Sequence, residues 1–200
     1  MHCHNAYPPL WDIYCPKGVF YVKQTVGRWQ CFGFIFTGAL GTFLHFLFDL
    51  TGGNIGAALF SAVNESIWEH TKLIFYPMLL FAFIEYRRWG KDLSHFWCVK
   101  LRGILLGLIL IPVLYYSYTG ILGTSADWFN IAIFFIVAGI VYWRETQLLL
   151  RESARTCKPL IALGILGLMA VVFTMLTFFP PQIPLFQDPL TGTYGYQSPR

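Results

Sequence analysis

Charged residues are scarce in this chain of 200 residues. Asp, Glu, Lys and Arg make up 12% of it, whereas hydrophobic residues make up 56%. A soluble domain carries about 25% charged residues, because water must wet most of its surface. The composition therefore predicts a protein whose surface is largely covered by lipid. The net charge of +4 does not indicate a nucleic-acid partner, because the basic residues occur in loops between apolar runs.

The chain also lacks the short motifs of the common enzyme classes. It contains no Walker loop, no Rossmann glycine pattern, no G-x-S-x-G elbow and no HExxH zinc motif. Nucleotide-driven and serine-hydrolase activities therefore have no support in the sequence. A signal peptide is not evident either, because residues 1–28 are rich in Pro and aromatic residues and lack an apolar core. We expect the first apolar run to stay in the membrane as an anchor.

Apolar runs long enough to cross a membrane are abundant. A spanning helix needs about 20 mostly apolar residues, and four stretches meet this requirement, namely 29–50, 96–118, 128–143 and 160–179. A fifth, 73–86, is too short unless it recruits residues from Ile67 onward. The sequence therefore predicts an all-α fold, a polytopic transmembrane bundle of about five spanning helices.

One apolar segment, 51–62, is too short to span and opens with Thr-Gly-Gly-Asn. It is predicted to be a re-entrant or interfacial helix capped by Asn54. The alternative is an outward extension of the second span. A single helix from Asn54 to Tyr86 would be roughly 50 Å long at 1.5 Å per residue, which is too long to cross upright. We therefore expect a break near residues 61–65.

The distribution of basic residues predicts the orientation of the spans. Cytoplasmic loops of membrane proteins are enriched in Lys and Arg, so the N-terminus is expected inside and the C-terminus outside. This gives a cytoplasmic segment 1–28, a membrane domain 29–179 and an extracytoplasmic tail 180–200 that lies over the outer surface. The expected location is the cell membrane, multi-pass, or the cytoplasmic membrane if the source is bacterial. The basic residues on the predicted inner side are Lys17, Lys23, Arg28, Arg87, Arg88, Lys91, Lys100, Arg102, Arg144, Arg151, Arg155 and Lys158, against Lys72 and Arg200 outside.

Polar residues concentrate at the predicted outer face. The segment 60–72, FSAVNESIWEHTK, places Glu65, Ser66, Glu69 and His70 around the start of the second span. Charged groups in a membrane cost several kcal/mol unless they are paired or solvated, about 2.5–3.5 kcal/mol at a helix centre on insertion scales. His45 and Asp49 are four residues apart, so they share one side of the first span at the same face.

This set of side chains suits a divalent metal. Imidazole and carboxylate groups are typical ligands of Zn²⁺, and we predict metal ligands at His45, Asp49 and His70, with Zn²⁺ or another divalent cation as cofactor. The predicted catalytic residues are Glu65, Glu69 and Ser66, a Glu serving as general base. The structural alternative is an outer collar in which Glu69 pairs with Lys72 and His45 with Asp49.

Other residues are weaker candidates for a functional site. His2, Cys3 and His4 could hold a metal at the N-terminus. Glu85 beside Arg87 and Arg88 is expected to form an ion pair at the inner interface. Two glycines of the last span, Gly164 and Gly167, are expected to allow close helix packing.

The motif Asn64-Glu65-Ser66-Ile67-Trp68-Glu69-His70, followed by LIFYPMLLFAFIEY, resembles a family of uncharacterised bacterial inner-membrane proteins with the pattern NESxWEH. That resemblance implies a location and no activity. A looser similarity is to alkaline ceramidases, membrane hydrolases with a Ser, an Asp and three His around zinc in seven helices. The residues concerned here are His45, Asp49, Ser66 and His70. This chain departs from that pattern because no His follows His95.

Three functions remain open from the sequence. The first is a metal-dependent hydrolase or transferase that acts on a lipid or lipid-linked substrate at the outer leaflet. The second is a proton- or cation-coupled transporter or channel subunit, which would need a homo-oligomer to enclose a path. The third is a non-catalytic membrane partner whose segment 64–70 docks another protein.

Overall fold

A computed structural model describes residues 16–151 and 158–197 of the chain. Within these residues the structure contains α-helices and short turns but no strand beyond one isolated bridge, which confirms the predicted all-α fold. The predicted terminal site at His2, Cys3 and His4 lies outside the described residues. The helices are α1 (Pro16–Leu50), α2 (Ile55–Ala58), α3 (Ile67–Arg88), α4 (Phe96–Leu122), α5 (Asp127–Leu149) and α6 (Pro159–Phe178).

Five of these helices are long and apolar enough to cross a membrane, namely α1 over Gln24–Leu50 and the whole of α3, α4, α5 and α6. This confirms the predicted span count. Helix α1 begins at Pro16, well before residue 29, and α5 extends to Leu149. At the end of α5 the added residues 144–149 are mostly good helix formers such as Arg, Glu, Gln and Leu, so the helix continues beyond its apolar part. Which terminus lies outside stays a prediction.

The short helix α2 and the break after it separate the first two spans. The Asn54 side chain caps α2 by accepting a hydrogen bond of 2.7 Å from the Gly56 N–H, as the sequence predicts. Residues 59–66 are not helical, and Ser66 caps α3. The break is therefore located where the sequence analysis expects it, and α3 includes the charged residues that follow Ile67.

Four spans form the body of the bundle. Helix α1 packs against α3 and α5, and α4 packs against the same two helices, while α6 lies outside against α4 and α3. The core between them is apolar, with Ile74, Phe75 and Val141 fully buried. The outward faces are also apolar, and Phe32, Ile109 and Leu168 are each at least 60% exposed. Such a surface fits a lipid surrounding better than water.

Close approach of α1 to its neighbours depends on a glycine. A Cβ at Gly33 would lie 2.5 Å from the Tyr142 ring and 2.6 Å from the Phe81 ring, whereas nothing lies within 4 Å of a Cβ at Gly164 or Gly167. The expectation that Gly164 and Gly167 allow close packing is therefore wrong. These two face the outside of α6, and close contacts are made instead at glycines elsewhere, such as Gly33 of α1.

We expect Gly33→Ala to lower the free energy of unfolding by about 1–3 kcal/mol, because the added methyl overlaps two buried rings. Gly164→Ala is the matched control and should leave stability unchanged or slightly higher. Thermal unfolding of both variants in detergent checks this. Equal midpoints for the two variants would show that α1 can move away from α3 and α5 at little cost.

Candidate functional site

Three side chains meet at the end of the bundle where α1 ends and α3 begins. They are His45 near the end of α1, Glu65 in the loop before α3, and His70 in the first turns of α3. The Nε2 atom of His70 lies 3.3 Å from Glu65 Oε2, and the Nε2 atom of His45 lies 4.0 Å from Glu65 Oε1. One ligand atom of each residue lies within 4.8 Å of those of the other two. We call these residues the His–Glu–His group.

Local sequence orients His70 within this group. The Asn64 side chain accepts a hydrogen bond of 3.0 Å from the Ser66 N–H, and the Ser66 hydroxyl accepts one of 3.3 Å from the Glu69 N–H. These bonds form a tight turn and the N-cap of α3. The Ser66 carbonyl then lies 2.9 Å from His70 Nδ1. A carbonyl oxygen only accepts, so Nδ1 donates this bond, and Nε2 is the nitrogen that faces Glu65.

The electrostatics of the group centre on Glu65, whose side chain is 44% exposed, compared with 29% for His45 and 27% for His70. The hydrogen bond to His70 lowers the pKa of Glu65, against the opposing effect of partial burial. Glu65 is therefore a carboxylate at neutral pH, with its charge directed between two imidazoles. In this form it can pair with a protonated His70 or serve as a metal ligand.

Asp49 is not part of this group. The structure brings the predicted ligands His45 and His70 together, but the third group within reach is Glu65, which the sequence analysis assigned a catalytic role. Asp49 lies one helical turn beyond His45 and is exposed. Helix periodicity places Asp49 on the same side of α1 as His45, so it lines the approach to the group.

The predicted catalytic residue Glu69 points elsewhere. It is 1% exposed, and its Oε2 atom lies 2.5 Å from the ammonium of Lys72, which is fully buried. The Val63 N–H and the Thr177 hydroxyl donate to the same carboxylate at 3.1 and 3.0 Å. This is the ion pair of the structural alternative, and Glu69 has no free oxygen to act as a base.

The C-terminal tail closes this end of the bundle. The Tyr196 N–H donates to the Thr177 carbonyl at 2.8 Å, and the Tyr196 hydroxyl donates to the Gly53 carbonyl at 3.3 Å. The Asn64 amide donates to the Gly195 carbonyl at 3.2 Å. The tail thus lies against the loops next to the His–Glu–His group, in agreement with the predicted packing over the bundle surface.

A second polar cluster lies near the other end of the bundle, and the sequence analysis missed it. The ammonium of Lys100 contacts the carboxylates of Glu85 and Glu145, with 2.6 Å to Glu145 Oε2. Gln30 Nε2 donates to Glu85 Oε1 at 2.6 Å. We call these four residues the inner charged cluster, and none of them is more than 3% exposed.

The interface ion pair predicted for Glu85 is therefore wrong. Glu85 faces the bundle interior, whereas Arg87 and Arg88 are exposed. The distribution of basic residues predicts that Lys100 lies on the inner side with the loop cations, but Lys100 is part of α4 and is buried in the core. A signal was present in the sequence, because Glu145 and Lys100 are charged residues inside apolar helices, and such residues mark functional positions by default.

An apolar cavity of about 260 Å³ lies between α3, α4 and α6. Its lining includes Trp68, Pro112 and Phe173. Trp68 and His70 are two positions apart and therefore point to opposite sides of α3. The cavity is thus separated from the His–Glu–His group and does not contribute to it.

Comparison with known proteins gives a family but no activity. A family model matches residues 20–196, and the description of that family states only that its function is unknown. No curated protein and no solved structure matches the chain. The matched range includes all five spans and both polar clusters.

Proposed function

The chain belongs to DUF6512, a family of unknown function, and from its own geometry we propose that it is a metal-dependent hydrolase or transferase of the membrane interface. The observation that carries this proposal is the convergence of His45, Glu65 and His70 from three segments of the chain, with ligand atoms within 4.8 Å of one another. Two His and one carboxylate with an open fourth position are typical of catalytic zinc sites.

The surroundings of the group support this role. Ligating His residues commonly donate their second ring nitrogen to a backbone carbonyl, which orients the ring, and His70 Nδ1 lies 2.9 Å from the Ser66 carbonyl. The partial exposure of all three side chains leaves the fourth position open to a substrate. A bound metal would supply a water of lowered pKa. Asp49, exposed beside His45, is the carboxylate we propose as general base, because Glu69 is held by Lys72.

A lipid or lipid-linked substrate follows from the position of the group. The His–Glu–His group lies at the ends of two spanning helices, α1 and α3, where the polar part of a lipid meets the protein surface. The proposed orientation places this end outside the cell membrane. An ester or similar bond near a lipid headgroup could reach the fourth metal position without leaving the bilayer.

Metal content of the detergent-purified protein tests the proposal. We expect near-stoichiometric Zn²⁺ in the wild type, and loss of the metal in His45→Ala and His70→Ala. His95→Ala is the matched control, because His95 precedes α4 at the other end of the bundle, and it should keep the metal. Binding should weaken as the pH falls, since protons compete for the imidazoles.

Two further variants separate the roles of the carboxylates. Glu65→Gln should lose most of the metal, whereas Asp49→Asn should keep it and lose hydrolysis of lipid esters. A wild-type protein without metal after loading with Zn²⁺, or a metal content unaffected by both His substitutions, would reject the site.

Proton- or cation-coupled transport is the second candidate, and a specific observation favours it. Ionisable side chains are buried in the spans near both ends, with Glu69 and Lys72 at one end and the inner charged cluster at the other. Vesicles containing the purified protein should then show proton or cation flux above that of empty vesicles. No flux from a folded, metal-loaded protein would leave the enzyme as the better proposal.

A docking role for residues 64–70 has less support. Asn64 is bonded to the tail, and Ser66 and Glu69 are buried. The side chains of this segment that stay partly exposed include Glu65 and His70, and these are the residues proposed to bind the metal.

A further inference from the structure

The inner charged cluster joins four spanning helices. Gln30 comes from α1, Glu85 from α3, Lys100 from α4 and Glu145 from α5, and each is almost completely buried. Among the described residues, no other ion pair reaches it, and the neighbouring Arg87, Arg88, Arg102 and Arg144 are exposed. Another polar group of α5, the Tyr142 hydroxyl, is bonded to Thr37 at 2.8 Å.

The charges of this cluster do not balance if every group is ionised. One ammonium faces two carboxylates, so the sum is +1 − 2 = −1. An uncompensated charge inside a protein costs several kcal/mol, and the group neutralises where it can. A proton on one of the carboxylates removes the excess charge and leaves a single ion pair with Lys100.

The hydrogen bonds and ion-pair contacts together indicate which carboxylate carries the proton. Glu85 is contacted on both oxygens, by the Gln30 amide on Oε1 and by the Lys100 ammonium on Oε2. Glu85 Oε2 and Glu145 Oε1 both lack a hydrogen bond, but the Lys100 ammonium contacts Glu85 Oε2 as an ion pair, whereas Glu145 is contacted by Lys100 on its other oxygen, Oε2. Positive or hydrogen-bond-donating groups on both oxygens favour the charged form of a carboxyl group. Glu85 is therefore the ionised carboxylate, and Glu145 is the residue that holds the proton.

The free oxygen of Glu145 lies in a space that exists because α4 has a glycine there. A Cβ at position 103 would overlap the Glu145 carboxyl group. Two other buried oxygens of the same cluster, Gln30 Oε1 and Glu85 Oε2, also lack a hydrogen bond, although Lys100 contacts Glu85 Oε2 as an ion pair. The position that a metal cation would occupy between the two carboxylates is filled by the Lys100 ammonium, which leaves a proton as the ligand that fits.

We propose that the inner charged cluster is a proton-binding site inside the membrane-spanning bundle, with one proton held on Glu145 beside the Glu85–Lys100 ion pair. The site is separate from the His–Glu–His group and does not depend on a metal there. Release of this proton would place an unbalanced negative charge at the contact of four helices. The protonation state therefore couples to the packing of α1, α3, α4 and α5.

Infrared spectroscopy of the purified protein near neutral pH tests this proposal. A protonated carboxylic acid absorbs above the amide band and shifts in D₂O, and we expect this band in the wild type. Glu145→Gln and Glu85→Gln should each lose it, because either change leaves one carboxylate with one ammonium. Asp127→Asn, which removes an exposed carboxylate, is the matched control and should keep the band.

Two Gln variants are used so that the test still works if one of them does not fold. Each variant keeps one carboxylate paired with the Lys100 ammonium, and one folded variant is sufficient. Absence of the band in the wild type, or its persistence in a folded Gln variant, would overturn the proposal. The proposal would also be overturned if the wild type unfolded at a higher temperature in NaCl than in choline chloride and Glu145→Gln did not show this difference. That result would assign the site to a monovalent cation.

Discussion

Lys72→Met is expected to lower the free energy of unfolding by about 3–5 kcal/mol, because it leaves the buried carboxylate of Glu69 without its partner. The Lys72 ammonium lies 2.5 Å from Glu69 Oε2 and also donates to the Ala58 carbonyl at 3.1 Å and the Thr177 hydroxyl at 2.9 Å. One side chain thus connects α2, α3 and α6. Thermal unfolding in detergent, or denaturation by increasing SDS, measures the loss.

The controls separate the charge from the shape of the side chain. Lys91→Met removes an exposed lysine and should change stability by less than about 0.5 kcal/mol. The double variant Glu69→Gln with Lys72→Met removes both charges and should recover most of the loss. If Lys72→Met unfolds together with the wild type, the pair is not what holds α6 and α2 to α3.

Lys100→Met is expected to have an effect of the same size or larger, about 3–5 kcal/mol, because it leaves two buried carboxyl groups and no cation. The ammonium also lies over the rings of Phe96 and Tyr142, at 5.5 and 5.8 Å from their centroids, and these contacts are lost as well. Size-exclusion chromatography after graded heating gives the midpoint of unfolding.

The triple variant Glu85→Gln, Lys100→Met and Glu145→Gln removes all three ionisable groups and should be markedly more stable than Lys100→Met. Glu145→Gln alone should be close to the wild type in stability, because it keeps the Glu85–Lys100 pair. If Glu145→Gln were as damaging as Lys100→Met, both carboxylates would have to be charged in the native protein. Another group would then have to compensate the excess negative charge of two carboxylates beside one ammonium.

The two buried charge groups have different relations to the His–Glu–His group. Lys72 holds Glu69 in place, and Glu69 follows Ser66, whose carbonyl orients His70. Disruption of the Glu69–Lys72 pair should therefore disturb the His–Glu–His group as well. The residues of the inner charged cluster belong to α4, to α5 and to the parts of α1 and α3 that lie away from the His–Glu–His group. Its variants should leave metal binding unchanged, which makes them useful controls for the proposed metal site.

Part of the candidate site was accessible from the sequence. Alternation of the spans brings the end of α1 and the start of α3 to one face, so chain order alone places His45 and His70 at the same end of the bundle. The choice between Glu65 and Asp49 does not follow. It depends on the turn at Asn64 and Ser66, which brings Glu65 to both imidazoles, whereas Asp49 lies one helical turn beyond His45.

For the inner charged cluster as well, the sequence supplies the residues but does not show that they meet. The sequence contains Gln30, Glu85, Lys100 and Glu145 at separate places, and each alone resembles an interfacial residue near the end of a span. Positions 85 and 100 lie on either side of a short loop, where a count of basic residues assigns Lys100 to the cytoplasmic side. Only the rotation of four helices about their axes decides that all four side chains point inward.

The sequence by itself determined the fold class, the number of spans, the cap of α2 and the break before α3. These depend on hydrophobic length and on local hydrogen bonding, which act between residues that are close in the chain. The tertiary structure decided which charges are paired and which ligands converge. Helix rotation and packing set those distances, because a side chain's partner in a bundle belongs to another helix far away in the sequence.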